Sequence, residues 1–264
     1  MDCADDCVLF SVTAGVARIT LNRPAQMNAI SLAVHARLRS ILDEIEARDD
    51  IRVVLLTGAG RGFCAGQDLG ERPVEQDAPL DLGESVEQRY NPLVRRLVNL
   101  PVPLVCAVNG VAAGAGASLA LLADMVIATE SASFILSFAK IGLMPDTGAS
   151  WILPRLIGQP RALGMAMTGE RVSARKAEEW GMIWKSVPDA DFGAAVDELV
   201  EGLAKAPTLG VMAARNAIRA SWQCDLDTQL DRERDGQRRL GLSEDYREGV
   251  SAFRQKRPPA FTGR

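Results

Sequence analysis

Two glycine-rich segments stand out for what their backbones can do. Residues 57–69 read TGAGRGFCAGQDL and residues 109–119 read NGVAAGAGASL, each directly after an apolar run with the composition of a buried strand. Small residues let the main chain approach a ligand closely. Where such a turn opens a helix, as Gly114, Ala115 and Gly116 are placed to do, the first amide N–H groups have no partner within the helix and favour negative charge. One turn of this kind is more often close packing, but two can aim two N–H groups at one oxygen and stabilise the charge that develops on it. A third segment, FAKIGLMPDTGASWILPRLIG at 138–158, puts Asp146 in an apolar stretch ahead of a helix expected from about Ala149. Its carboxylate would either cap that helix or act as a general base. Apolar neighbours such as Leu143, Met144 and Trp151 would suit the second role by raising its proton affinity.

Other chemistries fit less well. A dinucleotide fingerprint would want glycine where Phe63 stands, and the Gly-Lys-Ser or Gly-Lys-Thr of a phosphate loop is absent. The single histidine, His35, falls in a stretch of helical period rich in Arg and Glu, where a solvated face is expected, so histidine bases and histidine metal sites are disfavoured. Five cysteines form no CxxC pair and their odd number suits reduced thiols in a cytoplasm. A net charge of -4 provides no broad positive field for a nucleic acid. Residues 102–128 are apolar enough to suggest a membrane span, but Pro103, Asn109, Ser118 and Asp124 interrupt them, so a strand, a turn and a helix are expected instead. Asp2, Asp5 and Asp6 ahead of a short apolar run do not resemble a signal peptide, and a cytoplasmic protein is expected.

The turns need strands to hold them. Val8 to Ser11 and Val16 to Leu21 are β-branched runs parted by Thr13, Ala14 and Gly15, the pattern of a hairpin. Ser31 is placed to cap a helix running to about Arg48, with Leu38, Leu42 and Ile45 at helical spacing. Strands at Val53 to Thr57, Leu104 to Val108 and Met125 to Thr129 alternate with helical patterns at Tyr90 to Leu100 and Gly114 to Ala123. That alternation implies an α/β architecture with at least one parallel sheet. From about Pro160 to Phe253 the pattern is almost wholly helical. With 264 residues, 47% hydrophobic, the chain can build one large core; residues 1–200 are expected to form it and residues 201–264 a helical oligomerisation region. The acidic, aperiodic residues 71–85 are expected to be a mobile surface loop, either a lid over the site or an inert insertion.

NRPAQMNAI at 22–30, RGFCAGQDL at 61–69 and AVNGVAAGAGASLAL at 107–121, with Asp124 after it, resemble the crotonase superfamily of enoyl-CoA hydratases and isomerases. The resemblance covers nearly the whole chain. It implies a spiral of repeated ββα units with a C-terminal helical trimerisation region, an acyl-CoA substrate, and no cofactor, since coenzyme A is part of the substrate. By the same resemblance the backbone amides of Gln67 and Ala115 bind the thioester oxygen, and Ala65, Asp68, Leu69 and Gly114 flank the bound thioester. Arg23, Phe253 and Lys256 stand at positions that members use around the adenine and phosphates. The two glutamates with which hydratases of the superfamily handle water fall on Ser118 and Phe138, so ordinary hydration is not expected. Related isomerases and a dehalogenase place their working carboxylate where Asp146 stands.

YNPLVRRL, EEWGMIW and the terminal DYREGVSAFRQKRPPAFTGR look like the 1,2-epoxyphenylacetyl-CoA isomerases of phenylacetate degradation. That resemblance implies conversion of a ring epoxide to an oxepin, or a shift of a double bond from the β,γ to the α,β position. It also implies a homotrimer or a dimer of trimers. An enoyl-CoA hydratase and a nucleophilic Asp146 attacking an aromatic ring are the competing enzymatic readings. A non-catalytic acyl-CoA-binding protein, including one that binds RNA, is the reading from another class, and the acidic balance argues against RNA.

Overall fold

The computed structural model describes residues 6–71 and 81–264. In chain order the strands are β1 (Val8–Thr13), β2 (Val16–Leu21), β3 (Val53–Gly58), β4 (Gly62–Cys64), β5 (Leu104–Val108), β6 (Val111–Ala113), β7 (Met125–Thr129), β8 (Ser133–Ile135), β9 (Arg171–Ser173) and β10 (Lys185–Val187). β1 and β2 form the expected hairpin, turning at Ala14 and Gly15 with φ of 50° and 81°. Two consecutive positive φ values give the turn a twist that matches the flanking strands.

Six strands form one sheet in the order β1-β2-β3-β5-β7-β10, parallel from β2 onward. Four short strands form a second sheet in the order β4-β6-β8-β9, with only β9 antiparallel. Each of β3, β5 and β7 is followed within a few residues by its counterpart β4, β6 or β8, and then by helical structure. Three ββα units therefore stack in register, which is the crotonase-like spiral that the motifs imply.

The long strands read as continuous apolar runs because both faces of the sheet are covered. Val54, Leu56, Cys106, Val108, Val126 and Ala128 point into the main core, while Val53, Leu55, Val105, Ala107 and Ile127 meet Val196 and Val200 of the helix Phe192–Ala204. That is the period of two expected of a strand. Ser31 caps the helix Leu32–Glu46, its side chain accepting from the Val34 N–H at 3.2 Å. Asp124 accepts from the Leu104 N–H at 2.8 Å and pairs with Arg219 at 2.8 Å, tying the helix Thr208–Ala220 to the core.

Three expectations are corrected. The chain beyond Pro160 is not wholly helical, because β9 and β10 each complete a sheet with three residues, too few to carry a period. Within residues 71–85, Leu82–Ser85 is a helical turn capped by Asp81, and it runs into a π-helix, Val86–Tyr90. The remaining residues of that stretch, 72–80, lie outside the described residues, and so does its reading as a lid.

The third correction concerns His35, which is 8% exposed rather than solvated and meets Tyr90 edge-to-face at 4.5 Å between centroids. Most of its charged neighbours in sequence belong to other sides of the helix, Arg39 at one turn's distance being the exception. Burial, then Arg89 and Arg39, pull its pKa down to about 4. The folded form thus holds a neutral imidazole whose proton affinity lies below that of the unfolded chain. Stability from this group is present above the unfolded value, near 6.5, and is lost as pH falls toward 4. Urea unfolding at pH 7 and pH 4.5 should show a loss that the His35→Phe variant lacks, roughly 2–3 kcal/mol. Equal losses in both proteins would show that His35 is not the group responsible.

Candidate active site

Two asparagines from separate motifs clasp the turn between β3 and β4. Asn28, 1% exposed, donates to the carbonyls of Ala59 at 2.9 Å and Gly62 at 2.8 Å and accepts from the Arg23 N–H at 2.8 Å. Asn109 donates to the Gly60 carbonyl at 2.9 Å and accepts from the Gly58 N–H at 3.2 Å. Each bond satisfies a main-chain group that a tight crossing would otherwise strand. Both asparagines are therefore scaffold for the turn rather than chemistry.

The segment Ala65 to Asp68 is held along its edge. The Ala65 N–H reaches the Met27 carbonyl at 2.9 Å, Ile30 N–H takes Gly66 O at 2.7 Å, and Asp68 N–H takes Ile30 O at 3.0 Å. Ile30 thus bridges Gln67 in parallel fashion. In such a bridge the residues on either side of Gln67 bond Ile30, so the Gln67 N–H is directed to the opposite edge. Ala115, which lines the same pocket as Gln67, is the first residue of the helix Ala115–Leu121, and its N–H has no acceptor within the helix. The helix is under two turns long, so the local amide, more than a macrodipole, carries the argument.

Glycine is required where the two turns touch. A Cβ on Gly66, which has φ of +92°, would lie 2.9 Å from Ala113 O and 3.3 Å from Ala115 N. A Cβ on Gly116 would lie 2.4 Å from Cys64 O and 2.8 Å from Cys64 Sγ. Cys64 in turn accepts from the Gly66 N–H at 3.4 Å. Burial pushes the Cys64 thiol up to about 12 and raises that of Cys106, so both stay protonated and neither is a nucleophile.

The third segment lines the same pocket. Thr147 and Gly148 are both left-handed, with φ of 54° and 81°, and the helix Ala149–Thr168 begins from Gly148 with no side-chain cap. Asp146 contributes its carbonyl to that start, accepting from Ala149 N–H at 3.0 Å. The carboxylate instead accepts from the Thr147 hydroxyl at 2.8 Å and lines the pocket. The other lining residues are Ala65, Gly66, Gln67, Leu69, Gly114, Ala115, Ser137, Phe138, Ile141 and Leu143, around about 490 Å³ including the open mouth. Among the described residues that line it, Asp146 is the one titratable group.

Of the expected site residues, Ala65, Gln67, Leu69, Gly114, Ala115 and Asp146 come together at this pocket. Arg23 and Asp68 stand behind it, paired at 2.7 Å, with Arg23 also donating to Ala29 O at 2.7 Å. Phe253 and Lys256 lie elsewhere, at the end of the helix Glu244–Gln255, where Phe253 is 85% exposed and lines a groove with Leu209, Tyr246 and Phe261. Of the three apolar neighbours assigned to Asp146, only Leu143 lines the pocket. Met144 is 72% exposed, and Trp151 packs against Trp222 and under the Arg155 guanidinium. Phe138 and Ile141 take their places.

Ser118, at one of the two positions where hydratases carry glutamate, is fully buried and bonds Gly114 O at 3.2 Å. Phe138, at the other, turns its ring into the pocket wall. Ser137 and Thr147 carry no signal in the sequence that marks them as groups at the site; the short helical segment Ser137–Ile141 and the left-handed turn bring them there.

Among the described residues no helix is long and apolar enough to cross a membrane, and no three of His, Cys, Asp and Glu cluster as a metal site would need. The sequence profile of the enoyl-CoA hydratase/isomerase family matches residues 11–264. The chain is 54% identical to 1,2-epoxyphenylacetyl-CoA isomerase of Escherichia coli (strain K12), over 97% of this chain and 98% of that one. It is 45% identical to a Rhodobacter capsulatus protein named "Probable enoyl-CoA hydratase", over 97% and 98% of the two chains. The crystal structure of enoyl-CoA hydratase from Bacillus anthracis superposes with a TM-score of 0.91 at 35% identity, covering 98% of this chain and all of that one. Profile, relatives and fold agree over essentially the whole length, and the chain is a member of the enoyl-CoA hydratase/isomerase family, an enzyme of the crotonase fold.

Proposed function

We propose that this enzyme isomerises an acyl-CoA thioester through an enolate, with Asp146 as acid and base and the amides of Gln67 and Ala115 holding the thioester oxygen. The observation that carries the reading is that Asp146 and both glycine-rich turns line one pocket. A carboxylate is far too weak to take an α-proton from an unassisted thioester. Two donors that bind the enolate oxygen better than the carbonyl contribute about 3 kcal/mol each in a dry site. Asp146 takes the α-proton. A ring epoxide opens to the seven-membered oxepin by cleavage of the carbon–carbon bond that its oxygen bridges, both carbon–oxygen bonds being kept. On that ring, as on a simple β,γ-enoyl chain, the enolate accepts a proton at the γ-carbon, which moves the double bond from β,γ to α,β. Asp146 returns the proton in either case.

The ring-epoxide substrate is favoured by the 54% identity to a protein named for that reaction. Phe138 where hydratases place a glutamate supports isomerisation over hydration. For the polyanionic end of coenzyme A we assign Arg23, whose Nη1 is committed to Asp68. Lys256 and Phe253, which stand away from this pocket within the chain, would serve the pocket of a neighbouring subunit in a trimer. A trimer or dimer of trimers would cover Ile218, Trp222, Leu226 and Leu230, which are 65%, 44%, 71% and 50% exposed.

The test is incubation with a panel of CoA thioesters in deuterated water, including the ring epoxide of phenylacetyl-CoA, a β,γ-enoyl-CoA and crotonyl-CoA. Deuterium entering the α- and γ-carbons with formation of oxepin or α,β-enoyl product is expected. Rapid loss of the enoyl absorbance of crotonyl-CoA would replace the isomerase reading with a hydratase.

A further inference from the structure

The turn that carries Asp146 contains a second polar side chain at a place where its residue type is disfavoured. Thr147 is 2% exposed and holds φ of 54°, a left-handed conformation that a β-branched residue rarely adopts. Such a conformation persists where its surroundings demand it, and glycine would adopt it freely. Threonine adds to such a position a methyl group and a hydroxyl, and the hydroxyl donates to Asp146 Oδ1 at 2.8 Å.

We propose that Thr147 is a positioning residue, whose hydroxyl fixes the rotation of the Asp146 carboxylate toward the substrate α-carbon and favours its ionised form in the resting enzyme. This rests on the reading of Asp146 as the acid and base. The last torsion of an aspartate is broad, so a hydroxyl donor on the next residue narrows the range that the carboxylate samples in a pocket with mostly apolar walls. A bond to an ionised acceptor is stronger than one to its neutral acid, so the donor keeps the base deprotonated until substrate supplies the proton. Among the described residues that line the pocket, Asp146 is the one titratable group. The side chains that Gly148 packs against are Leu122 and Val94, and Lys140, on the segment leading into the turn, lies against Gly169.

The experiment compares Thr147→Val, which keeps the shape and removes the hydroxyl, with Thr147→Ser, which keeps the hydroxyl. Turnover and α-proton exchange of a β,γ-enoyl-CoA are followed against pH. Thr147→Val should lose about 10–100-fold in kcat, the worth of a bond to a charged group, with KM changed little. The acid limb of its kcat/KM profile, which reports the free enzyme, should move to higher pH. Thr147→Ser should stay within about threefold of the parent in kcat, as a retained donor requires. In an Asp146→Asn background, Thr147→Val should have no further effect on kcat.

An unchanged kcat and pH profile in Thr147→Val, or a Thr147→Ser variant that falls as far, overturns the inference while leaving Asp146 as the base. An active Asp146→Asn variant overturns the base itself. If Thr147→Val does not fold, as its melting curve would show, Thr147→Ala against Thr147→Ser poses the same question with the same two outcomes.

Discussion

Asp146→Asn is expected to lower kcat by about 10²–10⁴-fold, the usual worth of a general acid–base, while binding of an unreactive CoA thioester changes little. The amide preserves the size of the side chain and its ability to accept from the Thr147 hydroxyl, but it cannot take a proton. The helix behind it should be unaffected, because its start uses the Asp146 carbonyl and no side-chain cap. Steady-state turnover and equilibrium binding measured on one preparation separate the two roles. A variant that turns over at the parental rate would place the base elsewhere, and no other titratable side chain among the described residues lines the pocket to replace it.

The second large effect is expected from Gly66→Ala. A methyl group there meets Ala113 O at 2.9 Å and Ala115 N at 3.3 Å, and φ of +92° is strained for alanine. Both contacts are backbone, so the turns must part, and the Gln67 and Ala115 amides part with them. Loss of about 10²–10³-fold in kcat is expected if one donor no longer reaches the oxygen. Binding gives the sharper readout: a thioester should lose affinity, while a thioether analogue without the carbonyl should not. Gly164→Ala serves as the control, since nothing lies within 4 Å of that position and its helix should tolerate the change. Equal losses for thioester and thioether would mean that Gly66 shapes the pocket without serving an oxyanion.

The pocket is legible in the sequence because much of its lining is backbone turns. The glycine turns announce close approach wherever they occur, and the strands before them carry long apolar runs. The pairing of Arg23 with Asp68 is not legible, since 45 residues separate two charges that each resemble ordinary surface groups. His35 misleads because charge density along a helix reports its average face, whereas the imidazole occupies the one side that Tyr90 covers. Proximity in the chain puts Met144 and Trp151 beside Asp146, but Met144 is turned out to solvent and two successive left-handed residues after Asp146 carry Trp151 away. β9 and β10 are assigned by partners far away in sequence and carry no local signal.

The interleaving of the two sheets has a consequence for biosynthesis. β10 closes the larger sheet by pairing with β7, and β9 closes the smaller one by pairing with β8, after intervening helices have been made. Every pairing from β2 onward joins strands distant in the chain, the kind of topology that assembles slowly. A growing polypeptide released only as far as Thr129 would present the unpaired amides of β7 to its surroundings. Until the ribosome has delivered Val187, protection of that open border must come from outside the chain.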